Sequence, residues 1–538
     1  YTLKELTIGK GTVSLRVEME QNQTKMDEVV VIGYGNVKQK DLTGSVAGVK
    51  AKDIVKSTDA SLNSALQGRA AGVSVVSSEG GPGAKVSVSI RAGSSISASN
   101  EPLYVINGFP TLGGSNLDIN VNDIESIQIL KDASATAIYG SRGANGVVMI
   151  TTKSGKNGKF EISYDAYVTK QEVSRKLNTI TAYQYAELQH FLRTNPQGSD
   201  IGDTSVFRNW QTFKDTPTVN WQDRIFRKPV SQTHNISFSG GNDNLRISGS
   251  LGYLGQQGIA IGTDYNRYTG SLNSVAKLNN VVTNETVIYF SRGQRNGPDV
   301  NREGGVIYSV IKASPWIMGA GTLSRFLQSN LGIGGSYGVD PYVELTENKI
   351  DINNFNGSLN TAFTFALAKN FSLRIAGGVD QTNYRNNYYY PSSTINGLDY
   401  HGSARMQGGS TLDWLNENTL NFNKTFADKH QVTALAGFTV QNQVSEGFGF
   451  GADIFPIELL GYNNIGFGKR PTSPYSSKVK SGLVSYLGRV NYGYLDKYLL
   501  TASIRADGSS KFPKHRWGYF PSAAFAWKLM DEGFMQGV

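Results

Sequence analysis

The sequence predicts a mainly β protein: a transmembrane antiparallel β-barrel preceded by a compact α/β unit. Three observations predict this. From Phe160 onward, period-two segments recur with turn signals between them. The connections between these segments alternate strictly between short and long, as inner turns and outer loops do in outer-membrane barrels. Ahead of them, residues 40–155 mix short helix signals with short strand signals.

Composition fits such a barrel. With 538 residues, 61 glycines, 27 tyrosines and only 18% charged residues, the chain exceeds a single ordinary core. Its mean hydropathy is −0.30. No run of about 18 apolar residues exists, which excludes a helical membrane protein. A barrel remains allowed, because its strands alternate lipid-facing and lumen-facing residues. Cysteine is absent, so disulfide scaffolds, thiolate metal sites and cysteine nucleophiles are excluded. The net charge of +9 comes from scattered Lys and Arg with no basic stripe, so nucleic acid is not an expected partner. The five histidines (His190, His234, His401, His430, His515) are isolated, and neither HExxH nor GxSxG occurs. No enzyme activity, cofactor or metal is therefore expected. The chain opens at Tyr1 without a signal peptide and stops at Gly537-Val538 without a closing aromatic strand, so it is expected to be a piece of a longer protein.

Taken in order, Thr12–Met19 alternates and reads as the last strand of something upstream, and residues 20–26 read as a polar linker. Asp27–Gly35 (DEVVVIGYG) is a β-branched run. Alone it reads as a buried strand ended by Gly33 and Gly35. Behind a polar linker it also suits a strand that a partner recruits by edge addition. Ser61–Ala70 is a short helix candidate ending near Gly72, with Ser57 and Thr58 as capping types. Val86–Ile90 and Leu103–Ile106 read as strands, and Asn107-Gly108 as a tight turn. Ile124–Leu130 alternates, Asp132 caps a short Ala-rich helix Ala133–Tyr139, and Val147–Thr151 is a β-branched strand. The glycines around Gly140–Gly146 fit neither a Walker A motif nor GxGxxG, and Gly80–Lys85 is too weak for a phosphate cradle.

Beyond Phe160, about twelve strands of roughly ten residues are expected, near the length a tilted strand needs to cross a bilayer. Short turns fall near Asn242–Asn244, Asn279–Val281, Lys369–Asn370, Phe426–Lys429 and Leu495–Lys497. Long loops fall near 170–231, 293–353, 383–403 and 445–478. Phe160/Ile162/Tyr164, Leu245/Ile247/Leu251 and Phe371/Leu373/Ile375 form apolar faces with almost no charge, as lipid contact requires. Tyr492, Tyr494 and Tyr498 bracket one short turn, as an aromatic girdle would. Tyr388-Tyr389-Tyr390 falls in a predicted outer loop, where it reads as an ordinary aromatic rim or as a stacking surface for sugars or peptide side chains.

Four segments in this order carry a family resemblance: DEVVVIGYG (Asp27–Gly35), LQGRAAGVSVV (Leu66–Val76), PLYVINGFP (Pro102–Pro110) and SIQILKDASATAIYGSRGANGVVMITTK (Ser126–Lys153). Together they resemble the SusC/RagA-like TonB-dependent transporters of the bacterial outer membrane. Asn220–Phe226 and Arg505–Ser522 extend the resemblance along the chain. It implies a TonB box at Asp27, Glu28, Val29, Val30, Val31, Ile32, Gly33, Tyr34 and Gly35. It implies plug-motif positions at Gly68, Arg69, Gly72, Val73, Arg91, Asn107, Gly108, Lys131, Asp132, Tyr139, Gly140, Arg142, Gly143, Asn145 and Gly146. The charged ones either hold the plug in the barrel or stabilise the plug fold alone. The chain has Asn107 where the family often has Asp, and Arg91-Ala92-Gly93 where it often has Arg-Gly.

The resemblance further implies a division into residues 1–20, the tail of a carboxypeptidase-regulatory-like β-sandwich; 21–39, a linker with the TonB box; 40–155, the plug; and 156–538, part of a 22-stranded barrel. The implied function is TonB-dependent import of an oligosaccharide or peptide across the outer membrane. The implied partners are the TonB-ExbB-ExbD complex, a SusD-like surface lipoprotein, the ligand and outer-membrane lipid. The alternative is a surface glycan- or peptide-binding β-protein without transport. Ligand-binding residues are not legible.

Overall fold

The computed structural model describes residues 29–32, 35–38, 46–50, 62–77, 80–84, 86–91, 95–96, 99–111, 119–194, 207–298, 305–316 and 340–535. Residues 1–20, Asp27, Glu28, Gly33 and Tyr34 lie outside them.

Nine short strands come first. Among the described residues, β1 (Val29–Ile32) and β2 (Gly35–Lys38) pair with each other and with no other strand. β3 (Val46–Lys50), β4 (Val73–Ser77), β5 (Val86–Ile90), β6 (Leu103–Ile106), β7 (Phe109–Pro110), β8 (Ile124–Leu130) and β9 (Val147–Thr152) follow. Five of them form one sheet in the order β3-β8-β9-β6-β7, in which only β6 and β9 run parallel. β4 and β5 form a separate hairpin. The β6–β7 turn is tight because Asn107 (φ 49°) and Gly108 (φ 84°) both take left-handed conformations. A two-residue hairpin turn needs that, and Asn-Gly supplies it with little strain.

This sheet is apolar on both faces. Tyr104, Ile127, Ile129, Val148 and Ile150 pack on one side with Leu62 and Leu66. Leu103, Val105, Leu130, Val147 and Met149 pack on the other with Ile138 and Tyr139, and there Leu435 and Leu487 of the large sheet join them. The helix predicted from Ser61 is shorter than expected, Leu62–Ala65. The one predicted from Ala133 runs to Thr136 and tightens into 3-10 turns over Ala137–Gly143.

The large sheet has twelve strands, the number expected. They are β10 (Gly158–Lys170), β11 (Val230–Gly241), β12 (Leu245–Gln257), β13 (Asp264–Lys277), β14 (Val282–Asn296), β15 (Lys349–Ala368), β16 (Phe371–Tyr390), β17 (Ser403–Phe426), β18 (His430–Asp453), β19 (Arg470–Tyr494), β20 (Tyr498–Ser509) and β21 (Trp517–Trp527). Each pairs antiparallel with its sequence neighbours. Every short turn expected from the sequence is found. Two carry left-handed pairs without glycine, Ala427-Asp428 and Leu495-Asp496.

Strand length departs from expectation. β15 to β19 span 20 to 25 residues rather than about ten. At about 3.3 Å per residue they rise well beyond a bilayer. The loops expected at 383–403 and 445–478 shrink to residues 391–402 and 454–469, and Tyr388–Tyr390 ends β16 instead of lying in a loop. The reason is chemical. The extra length of β15 and β16 is rich in Asn, Gln and Asp, and that of β18 and β19 in Gly, Ser and Pro, all of which read as loop residues in one dimension. In the sheet the amides and carboxylates bond to one another: Asp351 accepts from Gln294 (3.1 Å) and Asn387 (3.4 Å) on the neighbouring strands and from Asn353 (2.8 Å) on its own.

Side chains on the two faces are inverted relative to a soluble protein. Leu251 is 62% exposed while its neighbour Ser250 is 4% exposed. On β17, Leu412 and Trp414 are exposed while Asp413 and Glu417 are buried. Apolar-out and polar-in alternation is the pattern of a barrel wall in lipid. The α/β unit touches the polar face at β12, β13, β18 and β20, so the sheet wraps around it. Among the described residues β10 and β21 remain unpaired on their outer edges.

Candidate functional site

The motif residues separate into three groups by what they touch. The first group clamps the α/β unit internally. Gly68 (φ 70°) and Gly72 (φ 77°) shape the turns before Val73 starts β4. Lys131 donates to the Ala71 carbonyl (2.7 Å), the Arg91 amide donates to the Gly72 carbonyl (2.9 Å), and Arg91 pairs with Asp132. The Asp132 carboxylate expected to cap the following helix thus bonds Arg91. Arg69 lies half-buried nearby. Asn107 accepts from the Thr152 amide (2.9 Å) and donates to its hydroxyl (2.7 Å), pinning the β6–β7 hairpin to β9. Asn145 donates to the Ser99 carbonyl (3.1 Å), and Gly146 (φ 87°) leaves no room for a Cβ beside Ile90.

The second group docks on the wall. Gly140 takes φ 59° and ψ −138°, a conformation that only glycine adopts readily. That kink turns Ile138–Arg142 towards β18–β20. The Ser141 amide donates to Asp507 Oδ2 (3.0 Å), and the Arg142 guanidinium donates to Gln441 Oε1 (2.7 Å). Arg505, fully buried, donates to Asp507 (2.6 Å), to the Ile138 carbonyl (2.7 Å) and to Ser485 Oγ (2.9 Å). Tyr139 is buried beside this network, and burial raises its phenol above the ordinary value. Of the charged motif residues, Arg142 therefore meets the wall, whereas Lys131 and Asp132 act inside the unit.

A second seam, on β11–β13, is hydrogen-bonded without an ion pair among the described residues. Asp123 accepts from Ser250 (2.6 Å) and Ser271 (3.0 Å). Asn120 donates to Asn235 (2.6 Å), and the Lys153 carbonyl accepts from Ser248 (2.9 Å) and Asn273 (3.2 Å). Burial raises the Asp123 pKa, opposed by the two serine bonds and the Lys153 charge.

The third group is the N-terminal segment. Val29–Ile32 forms β1, and Gly35 opens β2. β1 is thus extended, as strand addition requires, and β2 covers one of its edges.

Sequence reasoning missed Asp123, Asn120, Gln441, Arg505 and Asp507 as contact residues. For the last two a signal existed: Arg505 and Asp507 stand two apart in a strand, on the face opposite Ile504.

Known proteins share this architecture. The TonB-dependent receptor plug domain family matches residues 38–147. TonB-dependent receptor P26 of Formosa agariphila is 35% identical over 551 residues, covering 100% of this chain and 53% of that protein. TonB-dependent receptor SusC of Bacteroides thetaiotaomicron is 30% identical over 578 residues, covering 100% and 54%. The RagAB peptide importer in its open-open state superposes with a TM-score of 0.77 at 26% identity, over 92% of this chain and 58% of that one. The chain spans about half the length of the curated relatives it matches. A plug seated against a β-wall defines the TonB-dependent receptors. Within that class, the chain belongs to the SusC/RagA-like family.

Proposed function

We propose that the protein containing this chain imports an oligomeric nutrient, an oligosaccharide or a peptide, across the outer membrane. The plug gates the barrel, and TonB, driven by ExbB-ExbD, pulls on Asp27–Gly35. A SusD-like lipoprotein over the long outer connections captures the ligand. The position of β3 carries the reading. Among the described residues, β3 is the first plug strand after the N-terminal segment, and it is an edge strand held by five residue pairs to β8 alone. Tension applied upstream of Val46 meets that ladder before any other part of the plug. Peeling β3 away uncovers Val49, which is part of the plug core. The polar seams complete the device, because hydrogen-bonded contacts re-form after displacement.

The test is uptake by a strain carrying the complete parent gene with residues 27–35 deleted, at an unchanged outer-membrane protein level. Loss of uptake of one glycan or peptide class supports energised import and identifies the substrate. Unchanged uptake of every substrate overturns it in favour of surface binding without transport.

A further inference from the structure

On the lipid-facing side, the apolar band of β13–β16 ends in a cationic row. Outward-facing Ile288 and Phe290 on β14 are followed at the next outward position by Arg292. Arg292 is directly opposite Tyr268 on β13 and Phe355 on β15, both exposed. Arg385, on the outward parity of β16, is opposite Asn353. Both arginines are exposed, and neither forms an ion pair among the described residues. β14 and β16 flank β15 and the two arginines are offset by two residues along it, so their backbones lie about 12 Å apart across Phe355 and Asn353. Arg385 also donates through Nε to Asn387 Oδ1 (3.1 Å). An aromatic ladder continues the row. Tyr268 packs on Tyr253 (5.1 Å between centroids), Tyr253 stacks on His234 (6.2 Å), and His234 stacks on Tyr164 (6.1 Å).

Other cations of the wall are paired within the chain: Lys497 with Glu532 (3.1 Å) and Lys528 with Asp496 (3.3 Å) by the short turns, and Arg405 (2.8 Å) and Arg470 (3.1 Å) with Asp453 towards the outer end. Among the described residues Arg292 and Arg385 have no carboxylate partner and are left for an external anion. The outward Asp264 and Asp351 nearby bond amides: Asn296 donates to Asp264 (2.8 Å), and Gln294 and Asn353 to Asp351.

We propose that Arg292 and Arg385 form a binding site for the phosphorylated headgroup of an outer-leaflet glycolipid. Planar guanidiniums bind phosphate in bidentate fashion, and aromatic rings at the interface accept sugar faces. The site rests on the reading that the strands cross the outer membrane with their short turns inside.

The test uses the full-length protein in mild detergent and counts retained lipid by native mass spectrometry. The probes are a bisphosphorylated disaccharide lipid, its dephosphorylated form, and inorganic phosphate as competitor. Arg292→Gln with Arg385→Gln is expected to lower retention of the phosphorylated lipid about tenfold, with the dephosphorylated lipid unaffected. Arg292→Lys with Arg385→Lys is expected to restore part of it, which separates lost charge from lost fold. Equal retention by wild type and the glutamine variant overturns the proposal. So does displacement of the lipid by millimolar inorganic phosphate alone, which defines a phosphate site and not a lipid site. If the protein leaves the membrane without detergent, the membrane-spanning reading fails instead.

Discussion

At the scale of single residues, the seam around Arg505 decides how firmly the plug is seated. Three of its donors are spent on Asp507, Ile138 and Ser485 in a fully buried position. Arg505→Met leaves Asp507 buried without its guanidinium, and a loss of about 3–5 kcal/mol is expected in thermal unfolding. A loss below about 0.5 kcal/mol would mean that the plug is held elsewhere. Gly140→Ala is expected to release the plug to protease, because its Cβ overlaps Asp507 Oδ2 and lies 2.7 Å from Arg505 Nε. Asp123 gives the other seam a pH dependence. Its folded pKa is raised by burial, so its contribution is fully present below the ordinary carboxylate value and is lost as pH rises through the folded value. Stability measured upward from about pH 4 is therefore expected to fall in wild type, and Asp123→Asn should flatten that decline. Identical pH profiles would remove Asp123 from the account. The motif residues Tyr139, Gly140 and Arg142 were legible in sequence, but their wall partners were not. Ser141 and Asp507 are 366 positions apart, and no local pattern encodes that meeting.

At the scale of elements, strand alternation was legible and strand length was not. Leu245, Ile247 and Leu251 mark their face correctly because lipid contact imposes a period of two. The upper parts of β15 and β16 hide behind amide-rich sequence and those of β18 and β19 behind Gly, Ser and Pro, since cross-strand pairing is invisible without register. Position on the polar face also does not reveal what covers it. Ser248 faces inward as its alternation implies, yet it is 5% exposed and bonded to Lys153. A lysine at Ser248 is therefore expected to dislodge the plug, and it makes a poor tolerated control. Thr382, half-buried on the inward parity of β16, is the better one. Val379→Lys should impair assembly by about 2–4 kcal/mol, while Thr382→Lys should assemble normally. Equal heat-modifiability of the two on gels would contradict the face assignment.

At the scale of the whole molecule, the plug is tied to one stretch of wall by hydrogen bonds through Arg142, Arg505 and Asp507 and to another by hydrogen bonds through Asp123, Asn120 and the Lys153 carbonyl, with an edge strand nearest the N-terminal segment. The central claim is that this strand must leave β8 for the gate to open. Gly48 and Gln128 are directly opposite on β3 and β8, and a Cβ at Gly48 meets open space. The parent chain contributes no cysteine over these 538 residues to confuse a cross-link. The decisive measurement is uptake by the full-length protein carrying Gly48→Cys with Gln128→Cys, oxidised and then reduced, at equal surface abundance. The account predicts that the disulfide abolishes uptake and that reductant restores it. Full uptake with the disulfide quantitatively formed would contradict it.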